Sequence, residues 1–150
     1  DPNPAVTDVK TLADLAGALS PPRVVWVMVP SGKITDDVIH ELAEFLEEGD
    51  LVIDGGNSKF TEDATHAEFL SSKKIKFMDC GGSGGVWGLE NGYGLTRGGD
   101  AADVKYVMPV FDALRPEGPR EEGFVHVGEV GAGHYAKMVP NGIEYAIMQA

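Results

Sequence analysis

Arg23-Val24-Val25-Trp26-Val27-Met28-Val29-Pro30-Ser31-Gly32 is a continuous apolar run closed by a proline, a serine and a glycine. A strand with one wet face alternates polar and apolar residues, whereas an uninterrupted run of this length marks a strand covered on both faces, as in a parallel sheet between helices. Moving outward, Thr35 to about Leu46 carries helical spacing. Asp50-Leu51-Val52-Ile53-Asp54 is a second short buried strand, closed by Gly55-Gly56-Asn57-Ser58. The stretch from Thr61 to Ser71 is helix-like, with Ala64, Ala67 and Leu70 on one stripe. Lys76-Phe77-Met78-Asp79-Cys80 makes a third strand and runs into Gly81-Gly82-Ser83-Gly84-Gly85. Ala101 to Leu114 reads as a helix and Gly123-Phe124-Val125-His126-Val127 as a fourth strand. Short strands alternating with longer helices predict an α/β fold: a Rossmann-like, largely parallel sheet with right-handed crossovers and flanking helices. Ligands of such sheets gather outside the carboxyl ends of the strands, so the loops 30–32, 55–58 and 81–85 are expected to share one rim.

A chain of 150 residues suits one domain or part of one. Its hydrophobic fraction of 43% is ordinary for a globular protein. No apolar stretch approaches the roughly 20 residues that cross a bilayer, so membrane insertion is not expected. The opening Asp1-Pro2-Asn3-Pro4 has neither the basic start nor the apolar centre of a secretory signal. Cys80 has no second cysteine to pair with, which fits a reducing, cytoplasmic setting. A net charge of −12, from 24 acidic and 12 basic residues, argues against nucleic acid as a partner. The same field opposes an anionic small ligand unless local donors overcome it. Glu41, Glu44, Glu47 and Glu48 read as a solvated helix face, and 116–123 as a mobile loop. His40, His66, His126 and His134 lack ligand spacing, so no metal is expected.

Chemistry concentrates in Gly131-Ala132-Gly133-His134-Tyr135-Ala136-Lys137-Met138-Val139-Pro140-Asn141-Gly142-Ile143-Glu144-Tyr145. Lys137, Asn141 and Glu144 are four and then three residues apart, which on a helix puts an amine, an amide and a carboxylate on one stripe. A base and an acid held this way can serve one substrate; by spacing alone they read equally as surface charges. Ser83 between glycines also fits a tight turn. Trp87 and Tyr93 also fit packing roles, and His134, near a helix start, fits a structural one.

Ser83-Gly84-Gly85-Val86-Trp87-Gly88-Leu89-Glu90-Asn91-Gly92-Tyr93, with Ile53-Asp54-Gly55-Gly56-Asn57-Ser58 before it and Lys137-Met138-Val139 to Asn141-Gly142-Ile143-Glu144-Tyr145 after it, closely resembles decarboxylating 6-phosphogluconate dehydrogenase. The likeness runs from about Thr11 to Ala150. A Ser-Gly-Gly loop and a Gly-x-x-x-Lys-x-x-x-Asn pattern are common to the β-hydroxyacid dehydrogenases; the Trp87–Tyr93 extension points to the sugar-acid enzyme. The resemblance implies NAD- or NADP-dependent oxidation of 6-phosphogluconate at C3, with decarboxylation to ribulose 5-phosphate, in the cytoplasmic pentose phosphate pathway. It implies Lys137 as base and Glu144 as acid. Asn57, Ser83, Gly84, Gly85 and Asn141 would hold the sugar acid and nicotinamide in register, and Tyr145 would meet the substrate phosphate. Asp1, Val29, Pro30 and Asn57 would lie on the cofactor side, Asp1 on the adenosine ribose. It also implies a partial Rossmann-like domain over 1–131, with 132–150 starting a helix toward an absent all-helical domain, and homo-oligomers among full-length relatives.

Three departures qualify this. Gly-x-Gly-x-x-Gly is absent, so the first βα unit is expected to be missing and NAD or NADP to bind weakly or not at all. The stretch from Asp1 to Leu12 looks shorter than the family's, as though a helix were missing. Pro140 stands where the family pattern has histidine; a proline inside a helix costs about 3 kcal/mol or more and is expected to kink it near Ala136. A noncatalytic remnant or partner-binding module with the same fold, or another β-hydroxyacid dehydrogenase, are the alternatives.

Overall fold

The computed structural model describes residues 6–150; the expected ribose contact at Asp1 lies outside them. The elements in order are α1 (Leu12–Ala18), β1 (Val24–Val27), α2 (Lys33–Leu42), β2 (Leu51–Asp54), α3 (Phe60–Ser72), β3 (Lys76–Ser83), α4 (Gly88–Asn91), β4 (Gly94–Gly98), α5 (Ala101–Tyr106), α6 (Met108–Leu114), α7 (Arg120–Gly123), β5 (Phe124–Gly128) and α8 (Ala132–Gln149). The five strands form one sheet in sequence order, β1-β2-β3-β4-β5. β1, β2 and β3 run parallel, β4 lies antiparallel to β3, and β5 lies parallel to β4.

The architecture is the expected mostly parallel α/β sheet, with one correction of direction. The strand at Phe124–Gly128 runs against β1–β3, because β4 intervenes as an antiparallel return. Gly94-Leu95-Thr96-Arg97-Gly98 carries little strand signal, with glycine at both ends and a charge inside. It is held by its partner: Gly81, Gly82 and Ser83 continue β3 instead of looping out, and pair with Thr96, Leu95 and Gly94. The helix expected over 101–114 is broken at Val107, where Pro109 cannot donate to the preceding turn. α1 was not foreseen; Thr11 caps it by accepting the Asp14 amide at 3.1 Å.

Strand residues alternate between two covered faces. Val25, Val27, Val52 and Phe77 face one core with Ile39, Leu42 and Leu70 of α2 and α3. Leu51, Ile53, Met78, Cys80 and Leu95 face another with Val104 of α5 and Phe111 of α6. Each fully buried large apolar side chain contributes about 1.5–3 kcal/mol. Arg97 is buried on the second face and stacks on Phe111, its guanidinium carbon 3.9 Å from the ring centroid, and on Phe124. Burial pushes its pKa down to about 9. β1 is an edge strand among the described residues, and Met28 just beyond it is 68% exposed. Among the described residues no helix is long and apolar enough to cross a membrane.

Candidate functional site

Because β1, β2 and β3 are parallel, the segments that follow them emerge at one end of the sheet. Val29 and Pro30 follow β1, Asn57 follows β2 and Ser83 ends β3. Asn57, Ser83, Gly84 and Gly85 are exposed on this rim. α8 reaches it from below, packed against β3 and β4. Its first turn sits at Asp79, whose carboxylate oxygens accept the amides of Gly131 at 2.6 Å and His134 at 2.7 Å. One turn on, Lys137 lies against Gly81, where a Cβ would overlap the lysine stem. Gly133 permits the same intimacy lower down, since a Cβ there would stand 2.7 Å from the Asp79 carboxylate. Glycine is thus required twice, once on each side of the contact between β3 and α8.

Lys137 Nζ donates to Asn141 Oδ1 at 2.7 Å, and both residues are half-buried. The structure therefore joins two members of the expected stripe and aims them at the rim. Glu144 and Tyr145 are exposed and lie beyond it on α8, with no hydrogen-bond partner among the described residues. α8 runs unbroken through Pro140 from Ala132 to Gln149.

Beneath the start of α8 lies a buried polar cluster that sequence spacing did not reveal. Asp54, Asp63, His66, Asp79 and His134 are all at most 3% exposed. They come from β2, α3, β3 and α8, so only the fold brings them together. His134 Nδ1 donates to Asp63 Oδ2 at 2.8 Å. Burial raises the Asp63 carboxyl to about 6, against the pull of His134. Burial disfavours the charged His134 imidazole, yet its hydrogen bond to Asp63 and the nearby carboxylates hold its pKa above the ordinary histidine value. Both partners move upward, so the pair retains a proton more firmly than either group alone. Burial also raises Asp79, opposed by the His134 and Gly131 amides.

Two clefts lie near the glycine-rich segments. The larger, about 500 Å³, lies between 88–93 and 113–117, away from Lys137. A smaller apolar one of about 290 Å³ is lined by Trp26, Met28, Gly55, Cys80, Tyr93 and Leu114 on the sheet face opposite α8. Neither cleft is lined by Lys137 or Asn141.

A mostly parallel sheet with helices on both faces and a polar rim at the carboxyl ends of three strands defines a Rossmann-like dinucleotide-binding architecture. Residues 3–117 match the family described as "NAD binding domain of 6-phosphogluconate dehydrogenase", and the chain belongs to that family. It is 44% identical over 140 residues to the NAD(+)-dependent, decarboxylating 6-phosphogluconate dehydrogenase of Haloferax volcanii, covering 93% of this chain and 45% of that protein. Against the decarboxylating enzyme of Haemophilus influenzae the identity is 42% over 140 residues, covering 93% of this chain and 29% of that one. The solved 6-phosphogluconate dehydrogenase of Plasmodium falciparum, a structure described in apo form and with NADP+ or substrate, superposes with a TM-score of 0.83 at 29% identity. That match covers 94% of this chain and 30% of the other. The chain thus spans less than half the length of these relatives.

Proposed function

We propose that the chain is the cofactor-facing part of a decarboxylating 6-phosphogluconate dehydrogenase, with residues 1–131 as a partial dinucleotide-binding domain and 132–150 opening a helix toward an all-helical domain. The observation that carries this reading is the Lys137–Asn141 hydrogen bond, set against Gly81 at the rim that also bears Asn57 and Ser83. NAD or NADP, held beside Val29, Pro30 and Asn57, would supply the hydride acceptor for C3 of the sugar acid. Lys137, steadied by Asn141, accepts the C3 hydroxyl proton and as an ammonium polarises the new ketone, which lets the neighbouring carboxylate leave as carbon dioxide. Glu144 then protonates C1 of the enediol. Drawn toward Asn141, the Lys137 nitrogen stands about one helical turn from Glu144, roughly 4.5 Å of rise, a span one substrate can bridge. Ser83, Gly84, Gly85 and Tyr145 complete the substrate side, and the setting is the cytoplasmic pentose phosphate pathway.

Val29, Pro30 and Asn57, which follow β1 and β2 at one end of the sheet, would flank a nicotinamide and its ribose. At the start of α8, Gly131-Ala132-Gly133 opens the helix as a phosphate loop would, but the Asp79 carboxylate already accepts the Gly131 and His134 amides, which leaves that turn poorly suited to a pyrophosphate. Calorimetric titration of this chain should therefore give dissociation constants weaker than micromolar for both NAD and NADP; micromolar binding of either refutes this point. For the catalytic reading, Lys137→Met in a chain extended to the length of its relatives should abolish 6-phosphogluconate turnover. Unchanged turnover refutes it. A noncatalytic module of the same fold is the second reading, favoured by Pro140 inside α8. It requires that the extended chain stay inactive even with Pro140→His.

A further inference from the structure

Four side chains of the buried cluster under α8 keep one polar atom without a partner: His134, whose Nε2 is free while its Nδ1 donates to Asp63, and Asp54, Asp63 and His66. Asp54 Oδ1 accepts the Gly56 amide at 2.9 Å, and its Oδ2 has no partner. Asp63 Oδ2 accepts from His134, and its Oδ1 has no partner. His66 Nε2 lies 3.3 Å from the Asp36 carboxylate, and its Nδ1 has no partner. The side chains of Asp54, Asp63 and His66 are 0%, 0% and 3% exposed, so water at the surface does not satisfy their three free atoms. One ligand atom from each residue lies within 4.8 Å of the other two.

We propose that Asp54, Asp63 and His66 form a site for a divalent transition-metal cation, with Zn2+ the best match. Two carboxylates balance the charge of one such ion. A mixed oxygen and imidazole donor set suits zinc, which binds both at about 2.0–2.2 Å. Tetrahedral donors at that distance stand about 3.3–3.6 Å apart, so closing three onto one ion needs a contraction of up to about 1.2–1.5 Å from the 4.8 Å limit of the cluster. The outer hydrogen bonds are those a metal site requires. Donation from His66 Nε2 to Asp36 leaves the Nδ1 lone pair for the ion, and His134 and the Gly56 amide hold the two carboxylates in place. Asp63, Asp79 and His134 also cluster, but there only His134 Nε2 is free, both Asp79 oxygens and the facing Asp63 oxygen being already engaged, so that group supports the site instead of holding the ion.

A groove of about 300 Å³ lined by Gly32, Lys33, Asp36, Glu62, Thr65 and His66 borders the site at His66. The bound ion joins α3 to the turn Asp54-Gly55-Gly56-Asn57. It therefore fixes the rim residue Asn57 from below, without touching the Lys137 chemistry.

The test is titration of the metal-stripped chain with Zn2+ by calorimetry, alongside thermal unfolding with and without the ion. The expected result is one ion per chain and a higher Tm. His66→Gln and Asp63→Asn should each remove both effects, and Asp36→Asn should weaken binding by about 10–100-fold, as losses of an outer-shell partner do. His66→Gln carries the test if Asp63→Asn does not fold. His40→Gln, at the exposed histidine beside Asp36, should bind as the parent does. No stoichiometric binding, binding unchanged in His66→Gln, or binding lost in His40→Gln overturns the proposal, the last by locating the ion on the surface.

Discussion

Replacing Gly81 by alanine should drive α8 off the sheet, while the same change one residue later should do almost nothing. A Cβ on Gly81 would overlap the Cβ of Lys137 and would also stand 2.7 Å from Thr96 Oγ1. Ordinary carbon contacts are about 3.5–4.0 Å, so the new methyl is more than an ångström too close and neither neighbour is the free end of a flexible chain. Overpacking of this kind costs about 1–3 kcal/mol. At about 2–4 °C per kcal/mol for a chain of this size, the Tm should fall by about 2–12 °C. At Gly82 a Cβ meets nothing within 4 Å, and its backbone is outside the left-handed region. Gly82→Ala should therefore stay within about 0.5 kcal/mol of the parent or gain slightly from a less flexible unfolded chain. The assay is paired thermal unfolding, with amide exchange read at His134 and Lys137. If the two variants are equally stable, α8 does not sit against β3 at Lys137 and the placement of the amine at the rim fails with it.

Asp50 offers a pH-dependent test. Burial alone would raise its pKa, but the Glu47 and Arg23 amides and the Arg23 guanidinium at 2.9 Å outweigh that and hold it below the usual carboxylate range. A depressed folded pKa gives stability that is complete above about pH 4 and lost as pH falls through the folded value. Asp50→Asn, which leaves Arg23 paired with Glu47, should cost about 1–3 kcal/mol at neutral pH and flatten the acid limb below about pH 4 in denaturant titrations. A parallel acid limb in the variant counts against the pair. The Cys80 thiol, which burial pushes up to about 12, should resist iodoacetamide at pH 8 until denaturant is added; equal rates with and without denaturant contradict its burial. Pro140→Ala should restore a backbone donor inside α8 and raise the amide protection of its C-terminal half, whereas unchanged protection would mean the helix tolerates the proline without loss.

Sequence by itself determined the class of fold, because the apolar runs at 24–29 and 51–53 and the intervening helical spacing are local signals that need no partner to be read. It also marked the ends of β1 and β2, where Pro30 and Gly55–Asn57 follow the strands, and it placed Lys137 and Asn141 on one helical stripe. Tertiary structure decided the rest. β4 exists because Gly81–Ser83 extends β3 and offers a free edge, and no feature of Gly94–Gly98 announces that pairing. The reversed direction of β5 follows from it. The Asp79 cap on α8 joins residues 52 and 55 apart, and the Asp63–His134 pair joins residues 71 apart. Buried polar groups must find partners wherever the folded chain supplies them, and sequence distance carries no information about where that will be. Asp54, Asp63 and His66 read as unrelated polar residues along the chain; they become a cluster only when α3 closes over the ends of β2 and β3.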